Sequence, residues 1–231
     1  MPFMTYETAD SYPVSIPIRG IYLSGDLMVP PLAEGVVLFA HGSGSSRFSP
    51  RNRAVAAELN AAGFATLLLD LLTPSEERRD AASAAFRFDV HLLARRLTAA
   101  TDWLASRSET ADLGIGYFGA STGAAAALIA ASHRQDIVRA IVSRGGRPDL
   151  AGPMLENVRA PTLLIVGGDD ASIIEFNRAA YHRLPGPKEL RIIPKASHLF
   201  EEPGALEEVT RLARGWYRRY LTAAVPPGVA G

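Results

Sequence analysis

The chain has 231 residues and a mass of 24.7 kDa, and its 24 basic residues are balanced by 24 acidic ones, with a pI near 7.0. That length suits one large α/β domain with a substantial core, and charge neutrality removes the attraction that nucleic acid or an anionic membrane would exert. The absence of cysteine excludes disulfides, thiolate nucleophiles and cysteine metal sites, and it suits a reducing cytoplasm.

Met1 to Asp10 carries acidic and polar residues where a secretion signal would need an apolar stretch, and no apolar run approaches membrane-spanning length. Short apolar runs bounded by Gly, Pro or Asp then recur, predicting strands at Val14–Ile18, Ile21–Val29, Val36–Ala40, Ala65–Asp70, Leu113–Phe118, Val138–Ser143, Thr162–Val166 and Glu189–Ile193. The first two have no helix between them and are expected to pair as an antiparallel edge hairpin. The later ones alternate with helices predicted at Arg51–Ala62, Val90–Ser106, Thr122–His133, Ile173–Leu184 and Ala205–Leu221. That alternation means a mostly parallel sheet of about eight strands with helices on both faces. Leu71–Asp89 has no clear strand or helix identity and reads as a solvated loop or a lid. The short gap from Ser143 to Thr162 leaves no room for a large cap. The expected organisation is a single domain over residues 1–223, followed by a loose tail over 224–231.

In an open parallel sheet, ligands meet the carboxyl ends of the strands. Four loops leaving those ends carry chemistry: His41-Gly42-Ser43-Gly44-Ser45-Ser46, Gly119-Ala120-Ser121-Thr122-Gly123, Gly167-Gly168-Asp169-Asp170, and Pro194-Lys195-Ala196-Ser197-His198. The second is a G-x-S-x-G pentapeptide between a strand and an alanine-rich helix. Flanking residues without Cβ atoms let the backbone turn sharply, and the turn lifts the serine hydroxyl clear of the sheet. Ser121 is therefore the candidate nucleophile; merely capping the next helix would not require both glycines.

His91, His133 and His182 fall on predicted helices, which leaves His41 and His198. His41 precedes the glycine loop and is expected to hold it by hydrogen bonds, so His198 is the candidate base. Either Asp169 or Asp170 could orient it, with Glu175 in reserve, while Asp70 is expected to tie down the amides of its own loop. Serine, acid and histidine occur in the chain order of the α/β-hydrolases. Gly114-Ile115-Gly116-Tyr117-Phe118-Gly119 matches the dinucleotide-binding fingerprint but lies within a predicted strand instead of opening a helix. No cofactor or metal is expected.

The segments VVLFAHGSGSSRFSPRN, ATLLLDLLTP, GYFGASTGAAAAL, VSRGGRPDLAGP, PTLLIVGGDD and ASHLFEEPGALEEV resemble the α/β-hydrolases of the dienelactone-hydrolase-like group, which includes bacterial members fused to phosphoribosyltransferase domains. The resemblance covers nearly the whole chain. It implies Ser121 as nucleophile, His198 as base and Asp170 as orienting acid, the fourth residue of a G-x-x-D segment. True dienelactone hydrolases carry a cysteine where this chain has Ser121, and a glutamate where it has the Gly42-Ser43 region, which favours a general serine esterase over the lactone-specific mechanism.

The expected activity is hydrolysis of short-chain carboxylic esters or lactones through an acyl-enzyme, with the backbone amides of Ser43 and Thr122 holding the oxyanion. A perhydrolase or acyltransferase would use the same triad, and a non-catalytic binding protein could share the scaffold. Arg144 and Arg47 lie at the same sheet edge, where either could bind a substrate carboxylate or simply brace a loop. The expected partner is a small ester, with no nucleic acid or membrane, in a monomer or small homo-oligomer.

Overall fold

The structure is a computed structural model and describes residues 11–222; the readings of Met1–Asp10 and of the tail lie outside the described residues. Eight strands form one sheet in the order β1-β2-β4-β3-β5-β6-β7-β8. They are β1 (Tyr12–Ile18), β2 (Ile21–Met28), β3 (Val36–Ala40), β4 (Ala65–Leu69), β5 (Ile115–Ala120), β6 (Val138–Arg144), β7 (Thr162–Gly167) and β8 (Lys188–Ile193). β1 and β2 form the expected antiparallel hairpin, β2 also runs antiparallel to β4, and the remaining pairs are parallel. The central strands β3, β4, β5 and β7 are buried along their whole length, because helices cover both faces.

The helices are α1 (Pro50–Ala61), α2 (Pro74–Ser83), α3 (Val90–Ala105), α4 (Thr122–His133), α5 (Ala171–Arg183) and α6 (Ala205–Tyr220). One core packs residues of α1 and α6, among them Val55, Leu59, Val209 and Tyr217, against Val37, Phe39, Phe118 and Val142. The other packs α3 and α4, through Leu93, Leu97, Leu128 and Ile129, against Leu38, Leu67, Tyr117 and Ile141. α4 is apolar all round because all its residues up to Ser132 are buried between the sheet and its neighbours.

Leu71–Asp89 is not a structureless loop, because it contains α2. Thr73 caps that helix in a capping box with Glu76, and Pro74 occupies the first helical position. The helix is tied down by Arg96, which pairs with Glu76 and donates to the Leu71 carbonyl at 2.6 Å, and the following turn is held by an Asp80–Arg87 ion pair. The segment between β6 and β7 is likewise structured. It forms a ten-residue 3-10 segment, Pro148–Asn157, broken at Gly152, and no large cap is inserted there.

The parallel registers align the strand ends that matter. Ala40 lies opposite Gly119, Ala120 opposite Arg144, and Gly167 opposite Ile193. The four chemically loaded loops therefore leave one edge of the sheet together.

Candidate active site

Ser121 has φ 50° and ψ −121°, a left-handed conformation that a residue with a Cβ adopts only under strain. It occupies the cap position of α4, yet its side chain makes no capping hydrogen bond. The two glycines act through space. A Cβ on Gly123 would lie 2.2 Å from the Ala40 carbonyl oxygen, and one on Gly119 would lie 2.5 Å from the Ala124 Cα. Only without those carbons can α4 start directly against β3 and β5. G-x-G-x-x-G, by contrast, lies along β5 and opens no helix.

His198 and Asp170 meet from adjacent loops, Nδ1 to Oδ2 at 2.6 Å, with the imidazole 38% exposed and the carboxylate 14%. Asp170, like Ser121, sits at a helix cap position without capping; its carboxylate goes to His198 instead. Asp169 contributes its backbone, donating to the Ala196 carbonyl at 3.0 Å and stitching the acid loop to the histidine loop. Gly167 admits that loop, since a Cβ there would lie 2.3 Å from the Ala196 oxygen. Lys195 and Phe200, on either side of His198, are both held at positive φ, so the histidine loop is strained like the serine turn. Glu175 faces Arg178 on the exposed side of α5 and takes no part.

The histidine loop comes back over β6. The His198 Cε1 lies 3.5 Å from where a Cβ on Gly145 would stand, and the neighbouring Arg144 carbonyl accepts the Ser121 N–H at 3.3 Å. Serine turn, imidazole and carboxylate thus converge across the ends of β5, β6 and β7.

The glycine loop differs from expectation in one respect. The Ser43 N–H donates to the Thr122 hydroxyl at 2.9 Å, so in the resting protein this amide already has an acceptor. The Thr122 N–H is at the first residue of α4, where amides lack an intrahelical partner.

His41 holds the loop as expected and also binds the next one. Its Nδ1 lies 2.9 Å from the Gly42 carbonyl, and its Nε2 accepts the Leu71 N–H at 3.0 Å, which assigns the proton to Nδ1. Asp70 ties down a neighbour's loop instead of its own: it accepts the Arg47 N–H at 2.7 Å and pairs with the Arg47 guanidinium. Arg47 is further engaged by Asp26 and stacks on Phe48, which makes it a brace for the glycine loop.

Burial pulls the His41 pKa below its ordinary value, although the Gly42 carbonyl and Asp70 oppose the shift. The folded state thus binds fewer protons at this residue than the unfolded chain, so His41 contributes stability above about pH 6.5 that is lost as pH falls towards its lowered pKa. Melting temperature measured from pH 7.5 to 5.5 is expected to fall more steeply in the wild type than in His41→Gln; parallel curves would show that His41 carries no such load.

A cavity of about 510 Å³ begins at the glycine loop and is lined by Gly44, Ser45, Ser46, Phe48 and Leu72, with Glu77 and Arg87 at its α2 side. A larger one, about 940 Å³, runs along α3 from the β1–β2 turn to His133, and neither cavity is lined by Ser121, Asp170 or His198. Volume alone does not mark the chemistry here, because the reactive groups sit in an open edge.

The sequence matches the Dienelactone hydrolase family over residues 23–218. The chain belongs to the Dienelactone hydrolase family. It is similar to a dienelactone hydrolase from Anabaena variabilis, with 56% identity and a TM-score of 0.92 over 93% of this chain and all of that one. It is also 56% identical, over 206 residues, to two proteins from strains of Mycobacterium tuberculosis that are curated under a phosphoribosyl transferase name. The match takes in 89% of this chain and 46% of each of them, so the chain spans about half the length of these curated relatives. Est1E from Butyrivibrio proteoclasticus, at 18% identity and a TM-score of 0.75 over 90% of this chain and 98% of its own, shares the fold. Family membership makes this α/β-hydrolase chain a hydrolase, and no helix among its described residues is long and apolar enough to cross a membrane.

Proposed function

We propose that the chain is a serine esterase that cleaves carboxylic esters through Ser121, His198 and Asp170. The observation that carries this reading is the uncapped, left-handed Ser121 at the edge where an imidazole already bonded to a carboxylate packs over the next strand end. His198 Nε2 takes the Ser121 proton as Oγ attacks the ester carbonyl, while Asp170 holds the Nδ1–H and stabilises the imidazolium. The tetrahedral intermediate collapses with proton transfer from His198 to the departing alkoxide. Water, activated by the same base, then releases the acid.

The oxyanion is held by the Thr122 N–H and by the Ser43 N–H, which exchanges the Thr122 hydroxyl for the stronger, charged acceptor. The cavity beside the glycine loop is the place for one arm of the substrate. Its moderate size and the absence of a large cap favour short acyl chains. On a series of para-nitrophenyl esters of increasing acyl length, kcat/KM is expected to be highest for the shortest members. A clear optimum at long chains would contradict the open-site reading, and no turnover of any member would contradict the esterase. The transferase name belongs to the longer mycobacterial relatives, of whose length this chain spans about half.

A further inference from the structure

The glycines around Ser121 let the chain make its turn, but they do not hold it there. A left-handed serine persists only where its surroundings over-determine the backbone. The restraint comes from the linker that follows β6. The Arg144 carbonyl accepts the Ser121 N–H at 3.3 Å, and the Arg147 N–H donates to the Ser121 carbonyl at 3.0 Å, so residues 144–147 grip both backbone groups of the strained residue. The Arg144 side chain takes no part in this: it is 8% exposed and turns to Asn52 Oδ1, 3.3 Å away. The same linker is fitted to the histidine loop, since Gly145 has φ 52° and a Cβ there would lie 3.1 Å from the His198 carbonyl oxygen.

The linker is fixed in turn by α5. The buried residues of that helix are Ile173, Asn177 and Ala180, one polar side chain between two apolar ones. Asn177 Nδ2 donates to the Ile173 carbonyl at 2.8 Å within the helix and to the Gly146 carbonyl at 2.9 Å across to the linker. Two carbonyls facing one amide atom identify it as the nitrogen. Oδ1 is buried with no hydrogen-bond partner among the described residues, a cost that a leucine in the same place would not carry. What the amide alone supplies is the bond to Gly146. Arg147 is held from the same helix, its guanidinium 4.7 Å from the centre of the Phe176 ring, and by an ion pair with Asp149. α5 opens at Asp170, and Asn177 lies about two turns further along. One helix thus carries both the acid that orients His198 and the anchor of the linker that restrains Ser121. We propose that Asn177 is a positioning residue, which by holding the Gly146 carbonyl keeps the Ser121 turn in place for His198. This rests on the serine-esterase reading.

The test is Asn177→Leu, which removes the donor and fills the space. On para-nitrophenyl acetate it is expected to lower kcat by about ten- to a hundredfold, the cost of misplacing a reacting atom by about an ångström, with KM within about threefold of wild type. The rate of fluorophosphonate labelling at Ser121 should fall in parallel. The midpoint of the kcat/KM pH profile should stay at its wild-type value, because the Asp170–His198 bond is untouched. Asn60→Leu is the structural control: Asn60 Nδ2 donates to the Phe64 carbonyl at 2.9 Å and to Thr66 Oγ1 at 3.0 Å, at the amino end of β4, so its loss should lower Tm and leave kcat unchanged. A folded Asn177→Leu with kcat within about twofold of wild type, a loss expressed in KM alone, or a shifted pH midpoint would overturn the positioning role, while wild-type turnover left the esterase standing. If wild type turns over no ester, the esterase reading fails and amide hydrogen exchange decides the positioning role alone. The Ser121 and Arg147 amides are then expected to exchange at least about tenfold faster in Asn177→Leu than in wild type, and equal exchange overturns the role. If Asn177→Leu does not fold, Asn177→Ser carries the same comparisons, since a serine hydroxyl keeps the bond to the Ile173 carbonyl and is too short to reach Gly146.

Discussion

Replacing Ser121 with alanine is expected to lower kcat for short para-nitrophenyl esters by on the order of a millionfold, leaving the residual rate that binding and oxyanion stabilisation provide. The size of the effect follows from removing the only atom that forms the covalent bond. The residual rate follows from the Ser43 and Thr122 amides, which belong to the backbone and survive the change. Folding should survive as well, because the Ser121 side chain makes no capping hydrogen bond whose loss would weaken α4, and alanine tolerates the φ of 50° no worse than serine does. Far-ultraviolet circular dichroism beside the kinetics separates the two. A folded variant with activity within tenfold of wild type would remove Ser121 from the mechanism.

Asp170→Asn is expected to cost about ten thousandfold in kcat with little change in KM. The carboxylate Oδ2 accepts from His198 Nδ1 at 2.6 Å, which leaves the lone pair of the imidazole on Nε2, the nitrogen the mechanism needs as base. An asparagine amide in the same place can donate to Nδ1, and the ring then carries its proton on Nε2, where it cannot act as a base. Asp169→Asn is the internal control, since Asp169 serves through its backbone N–H to Ala196 and should change kcat only a few fold. Comparable losses in the two variants would mean that the acid loop works as a whole and that His198 is not oriented by Asp170.

Much of this architecture is legible in the residues, and the exceptions have physical causes. Buried parallel strands such as Val36–Ala40 and Thr162–Gly167 are apolar at every position but Thr162, and Gly or Pro lies at or next to their ends, so strand positions are readable. Their ends are not: β5 reaches Ala120 and β6 reaches Arg144, because pairing with neighbours carries the ladder past the apolar run. α2 escapes a reading based on periodicity because Asp80 is its one buried residue, leaving no apolar stripe. The signal was present in Thr73-Pro74-Ser75-Glu76, a capping box with proline at the first position.

The serine, the histidine and their chain order follow from loop composition at the strand ends. The choice between Asp169 and Asp170 does not, because adjacent loop residues point different ways and only the fold shows which carboxylate meets the imidazole. The occupied Ser43 amide, the engagement of Asp70 with Arg47, and the isolation of Arg144 are likewise tertiary facts. Two arginines at one sheet edge look alike in the sequence, yet one faces two carboxylates and the other none.

The central claim is that Ser121 is the reacting nucleophile, and the measurement that tests it most directly is covalent labelling with a fluorophosphonate followed by peptide mass spectrometry. One adduct per chain, located on Ser121 and absent in both Ser121→Ala and heat-denatured protein, is the predicted result. An adduct on another serine, or no adduct on folded wild-type protein that turns over esters, would contradict it.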